Sequence, residues 1–244
     1  MTAPLVPVEI LSIYFTHNNR INLPKAFAKC APDMKKAILG LKDDLAALGI
    51  DLFLSDLFRS HDMQLQAHVE NAKKHIFSPL PGGSLHEGGR AFDLDLKALL
   101  KGGVITLARF WEIAAQRGLV PIIAEPDSDQ DEAWHFECRG SHARVRQYYR
   151  EGKGGTVLKA YEAMAASTIL AIGEKVDRFQ NQKAASIQSA LIRLGHELGA
   201  LDGGIGSKTK TALAAANVPL SSEDTMLAQL EGQLRQKFPA EFEV

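Results

Sequence analysis

The stretch Ser84-Leu85-His86-Glu87-Gly88-Gly89-Arg90-Ala91-Phe92-Asp93 decides how the rest of the chain is read. His86 and Asp93 stand too far apart to share one helical face at i, i+4. Gly88 and Gly89 lie between them and permit a sharp turn, so a loop residue and a strand residue can converge. From Ala91 to Leu96 the pattern is that of a strand, with Phe92, Leu94 and Leu96 on one face and Ala91, Asp93 and Asp95 on the other. Further along, Glu132-Ala133-Trp134-His135-Phe136-Glu137 supplies a second imidazole. On a strand His135 shares its face with Ala133 and Glu137, while Trp134 and Phe136 take the other. Two such strands side by side and antiparallel bring Asp93 to His135. His86, Asp93 and His135 then have the ligand count of a catalytic zinc site, about three protein ligands with one position left open. Glu132, three residues before His135, belongs in the loop entering the strand. From there its carboxylate can turn over the open side and act as general base and acid. Arg59, at the end of an earlier strand, is the candidate to hold a carbonyl oxygen as it becomes an oxyanion. Asp95 and Glu137 read as supporting or solvated carboxylates.

Outward from this stretch the chain alternates helices and short strands. Residues 9–16 read as a short strand. Met34, Ile38, Leu41, Leu45 and Leu48 recur at helical spacing up to Gly49, and Asp51–Phe58 reads as a strand. Ser60 can cap a helix whose apolar stripe is Leu65, Val69, Ala72 and Ile76. Ser78-Pro79-Leu80-Pro81-Gly82-Gly83 is a loop by composition. A helix over Thr106–Gln116, a strand over Leu119–Ala124, an acidic loop over Glu125–Asp131, a strand over Ala133–Cys138 and a basic helix near Ser141–Arg150 follow. Glu151-Gly152-Lys153-Gly154-Gly155 marks a break, and a helix from Val157 to Ile172 leads on. Beyond it the pattern is wholly helical: Ile187, Leu191 and Leu194 form one stripe and Leu227, Leu230, Leu234 and Phe238 another, with an Asp-Gly turn at Leu201–Gly206 between them.

Composition excludes several classes. The 244 residues are 45% hydrophobic and 23% charged, and 28 Lys+Arg against 29 Asp+Glu leave a formal net charge of −1. Nothing in that balance marks a nucleic-acid or anionic-membrane binder. Two cysteines, Cys30 and Cys138, make no disulfide framework and no CxxC metal spacing. No stretch reaches the roughly 18 apolar residues of a spanning helix, so membrane insertion is not expected. The amino terminus has no basic region followed by an apolar core, so the chain is expected to be made in the cytoplasm without a signal peptide.

Several of these residues match one pattern together. Ser84-x-His86-x-x-Gly89-x-Ala91-x-Asp93 with Glu132-x-Trp134-His135 resembles the signature of the LAS metallopeptidases, which take in D-Ala-D-Ala carboxypeptidases and dipeptidases, L-alanyl-D-glutamate endopeptidases and the zinc domain of hedgehog proteins. Phe58-Arg59-Ser60-x-x-x-Gln64 is similar to that family's Arg-Ser-x-x-x-Gln segment. The resemblance implies an α+β fold, a small antiparallel-sheet domain flanked by helices. It also implies Zn²⁺ on His86, Asp93 and His135, with Glu132 as base and acid and Arg59 at the substrate carbonyl. Ser84 and Gln64 would bind substrate, the peptide stem of bacterial peptidoglycan. Glu132, where an Asp would otherwise stand, leans the reading towards the D-Ala-D-Ala carboxypeptidases.

A second resemblance lies in Leu194-Gly195-His196-x-x-Gly199-x-x-Asp202-Gly203-x-Ile205-Gly206-x-x-Thr209-x-x-Ala212, which looks like a peptidoglycan-binding type 1 module of three helices. Ala216-Asn217 stand where that pattern carries an aromatic-Gln pair, and Ile205 replaces a Phe; a purely structural helical cap is the alternative. The expected organisation is therefore a zinc peptidase domain over 1–155, a helical linker over 156–175 and an all-α domain over 176–244. The expected protein is a monomeric wall hydrolase of the phage or prophage lysin type, reaching the cell wall after release or export. An L-alanyl-D-glutamate endopeptidase, a secreted effector and a non-catalytic zinc-stabilised binding protein are the other readings.

Overall fold

The computed structural model describes residues 3–243 and is α+β. Two compact units are distinguished: residues 5–59 with 89–140, and residues 3–4 and 60–88 with 141–243.

The first unit holds the sheets. Strands β1 (Val6–Pro7), β2 (Leu11–Thr16), β3 (Asn19–Asn22) and β4 (Lys29–Cys30) precede helix α1 (Pro32–Ala46) and strand β5 (Leu54–Asp56). In α1 Pro32 stands at the first helical position, where its missing N–H is no loss, and Met34, Ile38, Leu41 and Leu45 are buried, as their spacing predicts. Strand β6 (Ala91–Leu94), helices α3 (Leu96–Leu100) and α4 (Leu107–Gln116), and strands β7 (Val120–Pro121) and β8 (His135–Glu137) complete the unit. Strands β1 and β4 form a small antiparallel pair, and the larger sheet runs β3-β2-β5-β6-β8-β7. That sheet is mixed: β2 and β5 pair in parallel, and the other neighbours are antiparallel. The core beneath it is apolar and aromatic, with Phe92 stacked on Phe136 at 5.8 Å and Phe110 set edge-on to Phe136 at 5.0 Å. Such ring pairs contribute about 0.5–1.5 kcal/mol each beyond the area they bury.

Strand β6 stops at Leu94, two residues earlier than the alternation predicts. Asp95 ends it, because its carboxylate accepts from the backbone N–H of Ala98 and caps α3. Its other partner is Arg20, at 3.4 Å.

Both cysteines lie buried in this core and are not joined in a disulfide. Burial, then the nearby Asp33 carboxylate, pushes the Cys30 thiol up to about 12. Since the thiolate is the reacting species, Cys30 is expected to resist iodoacetamide at pH 8 in the folded protein and to label only on unfolding. Peptide mapping with and without denaturant checks this, and rapid labelling of native Cys30 would contradict it.

The second unit is helical: α2 (His61–Lys73), α5 (Ala143–Arg150), α6 (Ala160–Ala171), α7 (Gln182–Leu194), α8 (Ser207–Ala215) and α9 (Glu223–Lys237). The sequence places a break at 151–155, but helix α5 packs with α6 and α7. The reason is two tyrosines. The Tyr148 hydroxyl accepts from the N–H groups of Leu198 and Gly199, and the Tyr149 hydroxyl accepts from that of Leu201. The following turn is held by the buried Gln188 side chain, which accepts from the N–H groups of Asp202 and Gly203 and donates to the Asp202 carboxylate. Gly203 has φ +78°, and a Cβ there would also sit 3.1 Å from the carbonyl oxygen of Asn181. Helix α6, predicted as a linker, has Ala163 through Leu170 buried and belongs to the core of this unit.

Helix α2 departs from its predicted face. Ser60 caps it, accepting from Met63 N–H. The stripe of Leu65, Val69 and Ile76, however, is 43%, 46% and 45% exposed, and the helix buries Gln64 instead. No helix among the described residues is long and apolar enough to cross a membrane.

Candidate metal centre

The register of β6 on β8 builds most of the site. Asp93 pairs with His135, Phe92 with Phe136 and Ala91 with Glu137. The period-two alternation sends both phenylalanines into the core and turns Asp93 and His135 to the same opposite face. The Asp93 carboxylate lies 2.9 Å from His135 Nδ1 through Oδ1 and 3.2 Å from Arg59 Nη2 through Oδ2. The third residue comes from the loop ahead of β6. His86 is buried there, and the Ser84 hydroxyl accepts from its N–H at 3.3 Å. The turn between His86 and Asp93 uses its two glycines differently. Gly89 has φ +64° and a Cβ there would lie 2.6 Å from Leu5; a Cβ on Gly88 would lie 2.2 Å from the Thr168 hydroxyl. Neither position tolerates a side chain without displacement.

His86, Asp93 and His135, all buried, offer one ligand atom each, and these atoms all lie within 4.8 Å of one another. This buried His-Asp-His group can bind a metal ion. Two nitrogens and one carboxylate oxygen are the donors zinc takes, with bonds of about 2.0–2.2 Å. Ligand atoms on a tetrahedral ion stand roughly 3.4 Å apart, so the group fits with modest contraction.

Burial disfavours the His135 imidazolium, but its contacts with Asp93 and Glu137 outweigh burial and raise its pKa to about 10. Burial likewise works against the Arg59 guanidinium, and Asp56 and Asp93 more than compensate, so its pKa is raised. Glu87 is buried beside His86 with its carboxylate accepting from Gly82 and Ser84 N–H groups. Burial pushes its pKa above the ordinary carboxylate value.

The remaining predicted residues divide. Glu132 lies in the loop entering β8 with φ +67°, a left-handed conformation uncommon for a side chain of its size. Its carboxylate stands 3.9 Å from His135 Nδ1 and remains accessible. Gln64 is 0% exposed, and its amide donates to the carbonyl oxygen of Pro79 at 2.8 Å and to the Ser78 hydroxyl at 3.3 Å. It is not brought to a surface where substrate could touch it; it ties α2 to the loop that leads to Ser84. Sequence reasoning gave Glu137 only a loose supporting role, although its position two residues after His135 on a strand already put it on the ligand's face. Compared with models of known families and with curated proteins, the chain finds no match.

Proposed function

We propose that this protein is a zinc-dependent peptidase of the peptide stems of bacterial peptidoglycan, with D-Ala-D-Ala carboxypeptidase activity. The observation that carries the reading is the buried His86–Asp93–His135 group with an accessible carboxylate, Glu132, 3.9 Å from one of its nitrogens. A purely structural zinc site closes its fourth position with another ligand and has no use for a base there. When bound, zinc supplies Lewis acidity for the scissile carbonyl and brings a water's pKa near 7. Glu132 takes a proton from the attacking water and returns it to the leaving amine. Arg59, its charge fixed by Asp56 and Asp93, faces the negative charge that develops on the carbonyl oxygen. Ser84, itself buried, orders the His86 loop by accepting from the His86 N–H. The peptidoglycan preference, the phage-lysin setting and a wall-anchoring role for α7–α9 rest on the sequence resemblances alone.

The test is digestion of purified peptidoglycan and synthetic stem peptides, with new termini read by mass spectrometry. Free D-Ala is expected, lost on chelation and regained with zinc. New amino-terminal D-Glu would reassign the bond to the L-alanyl-D-glutamate type. No cleavage of any stem bond by zinc-loaded protein would overturn the peptidase reading.

A further inference from the structure

We infer that Glu137 is a positioning residue for the metal centre, holding the His135 ring so that Nδ1 is the nitrogen offered to the ion. This rests on the reading of His86, Asp93 and His135 as ligands but not on the chemistry proposed for them.

Glu137 is a carboxylate with 0% exposure at the far side of a ligand histidine from the co-ligand. Withdrawing such a charge from water is costly and is sustained only by close partners. Two are at hand. Arg139 Nε donates to Oε2, and His135 Nε2 lies 3.5 Å from Oε1. Arg139 is itself anchored, its Nη2 standing 3.5 Å from the carbonyl oxygen of Pro121 on β7. The chain of contacts therefore runs from β7 through Arg139 and Glu137 to the outer nitrogen of His135, while the inner nitrogen faces Asp93 at 2.9 Å. Strand register makes room for this arrangement, because the residue opposite Glu137 is Ala91, whose small side chain leaves the carboxylate space.

The chemistry follows from the two nitrogens of one ring. A neutral imidazole has one N–H and one lone pair, and the partner of the first fixes where the second points. A carboxylate at Nε2 retains the proton there, leaves the Nδ1 lone pair for the ion and makes the ring a stronger donor. At 3.5 Å the contact is long for a hydrogen bond. Such contacts commonly tighten when a site takes up its ligand.

The experiment measures metal affinity, not hydrolysis. Zinc titration of the full chain against a competing chelator is expected to show a 10–100-fold loss of affinity in Glu137→Gln, which keeps shape and loses charge. Unchanged affinity in a folded Glu137→Gln protein overturns the assignment. Should that variant fail to fold, the wild-type protein decides: with ¹⁵N-labelled histidine and zinc bound, His135 is expected to coordinate through Nδ1 and keep its proton on Nε2. Coordination through Nε2 overturns the proposal. Loss of peptidase activity with these results intact would count against the proposed function alone.

Discussion

Replacing Glu132 with Gln is expected to leave zinc bound and to lower cleavage of stem peptides by about 10²–10⁴-fold, the usual contribution of a positioned general base. The expectation separates two carboxylates near His135. Glu137 is wholly enclosed and cannot meet a substrate; Glu132 is accessible and hangs from a loop over the same imidazole. Its backbone is the second part of the argument. A left-handed φ costs a non-glycine residue roughly 1–2 kcal/mol. Glu132 adopts it at φ +67°, so a side chain stands where the local conformation favours glycine. Glu132→Gly should therefore be at least as stable as the parent yet as inactive as Glu132→Gln. Kinetics on a synthetic stem peptide together with thermal melting test both variants. Parental rates in either one would place the base elsewhere.

Asp93→Ala is expected to abolish zinc binding and, independently, to destabilise the fold by up to about 3–5 kcal/mol, because removing one member of a buried charged group leaves its partners with less compensating charge. Asp93 meets Arg59 with one oxygen and His135 with the other, so the loss takes a carboxylate from two cations at once and leaves Arg59 to Asp56 and His135 to Glu137. Urea denaturation in the presence of chelator isolates this effect from metal binding. Its pH dependence has a definite sign. His135 is raised from 6.5 to about 10 in the folded protein, so its pairing contributes fully below about pH 6.5 and is lost as pH rises towards 10. The gap between the parent and Asp93→Ala should narrow over that window. Zinc affinity runs the other way, since the ion must displace the proton and binds more weakly as pH falls. Equal stability of the two proteins in chelator at pH 6 would show that the carboxylate is not the partner of these cations.

The site was more legible in the sequence than the packing around it. Loop glycines, period-two alternation and the spacing of His135 from Glu132 are local facts, and they place the ligands because register converts local alternation into contact. Helix α1 was legible for the same reason: Met34, Ile38, Leu41 and Leu45, all buried, fall on one stripe. Strand direction is not local, and nothing in residues 11–16 or 54–56 marks β2 and β5 as parallel. In α2 the pattern misled, because a buried glutamine whose amide finds backbone and hydroxyl partners is as acceptable inside as a leucine. Which face of that helix turns inward was settled by loop 78–81. The Tyr148 and Tyr149 hydroxyls bind backbone fifty or more positions later, beyond the reach of any sequence window.

The pairing of Asp93 with His135 makes the sheet a ruler that measures across strands instead of along the chain. The separation of the two residues is fixed by one rung of a ladder, whatever the length of chain that leaves β6 and returns as β8. Residues 124–131 on that excursion are exposed, so they can be lengthened, shortened or opened to new termini while the rung stays in place. Shifting β8 by a single residue, in contrast, would exchange His135 for Trp134 or Phe136 at the rung and take the imidazole to the core side.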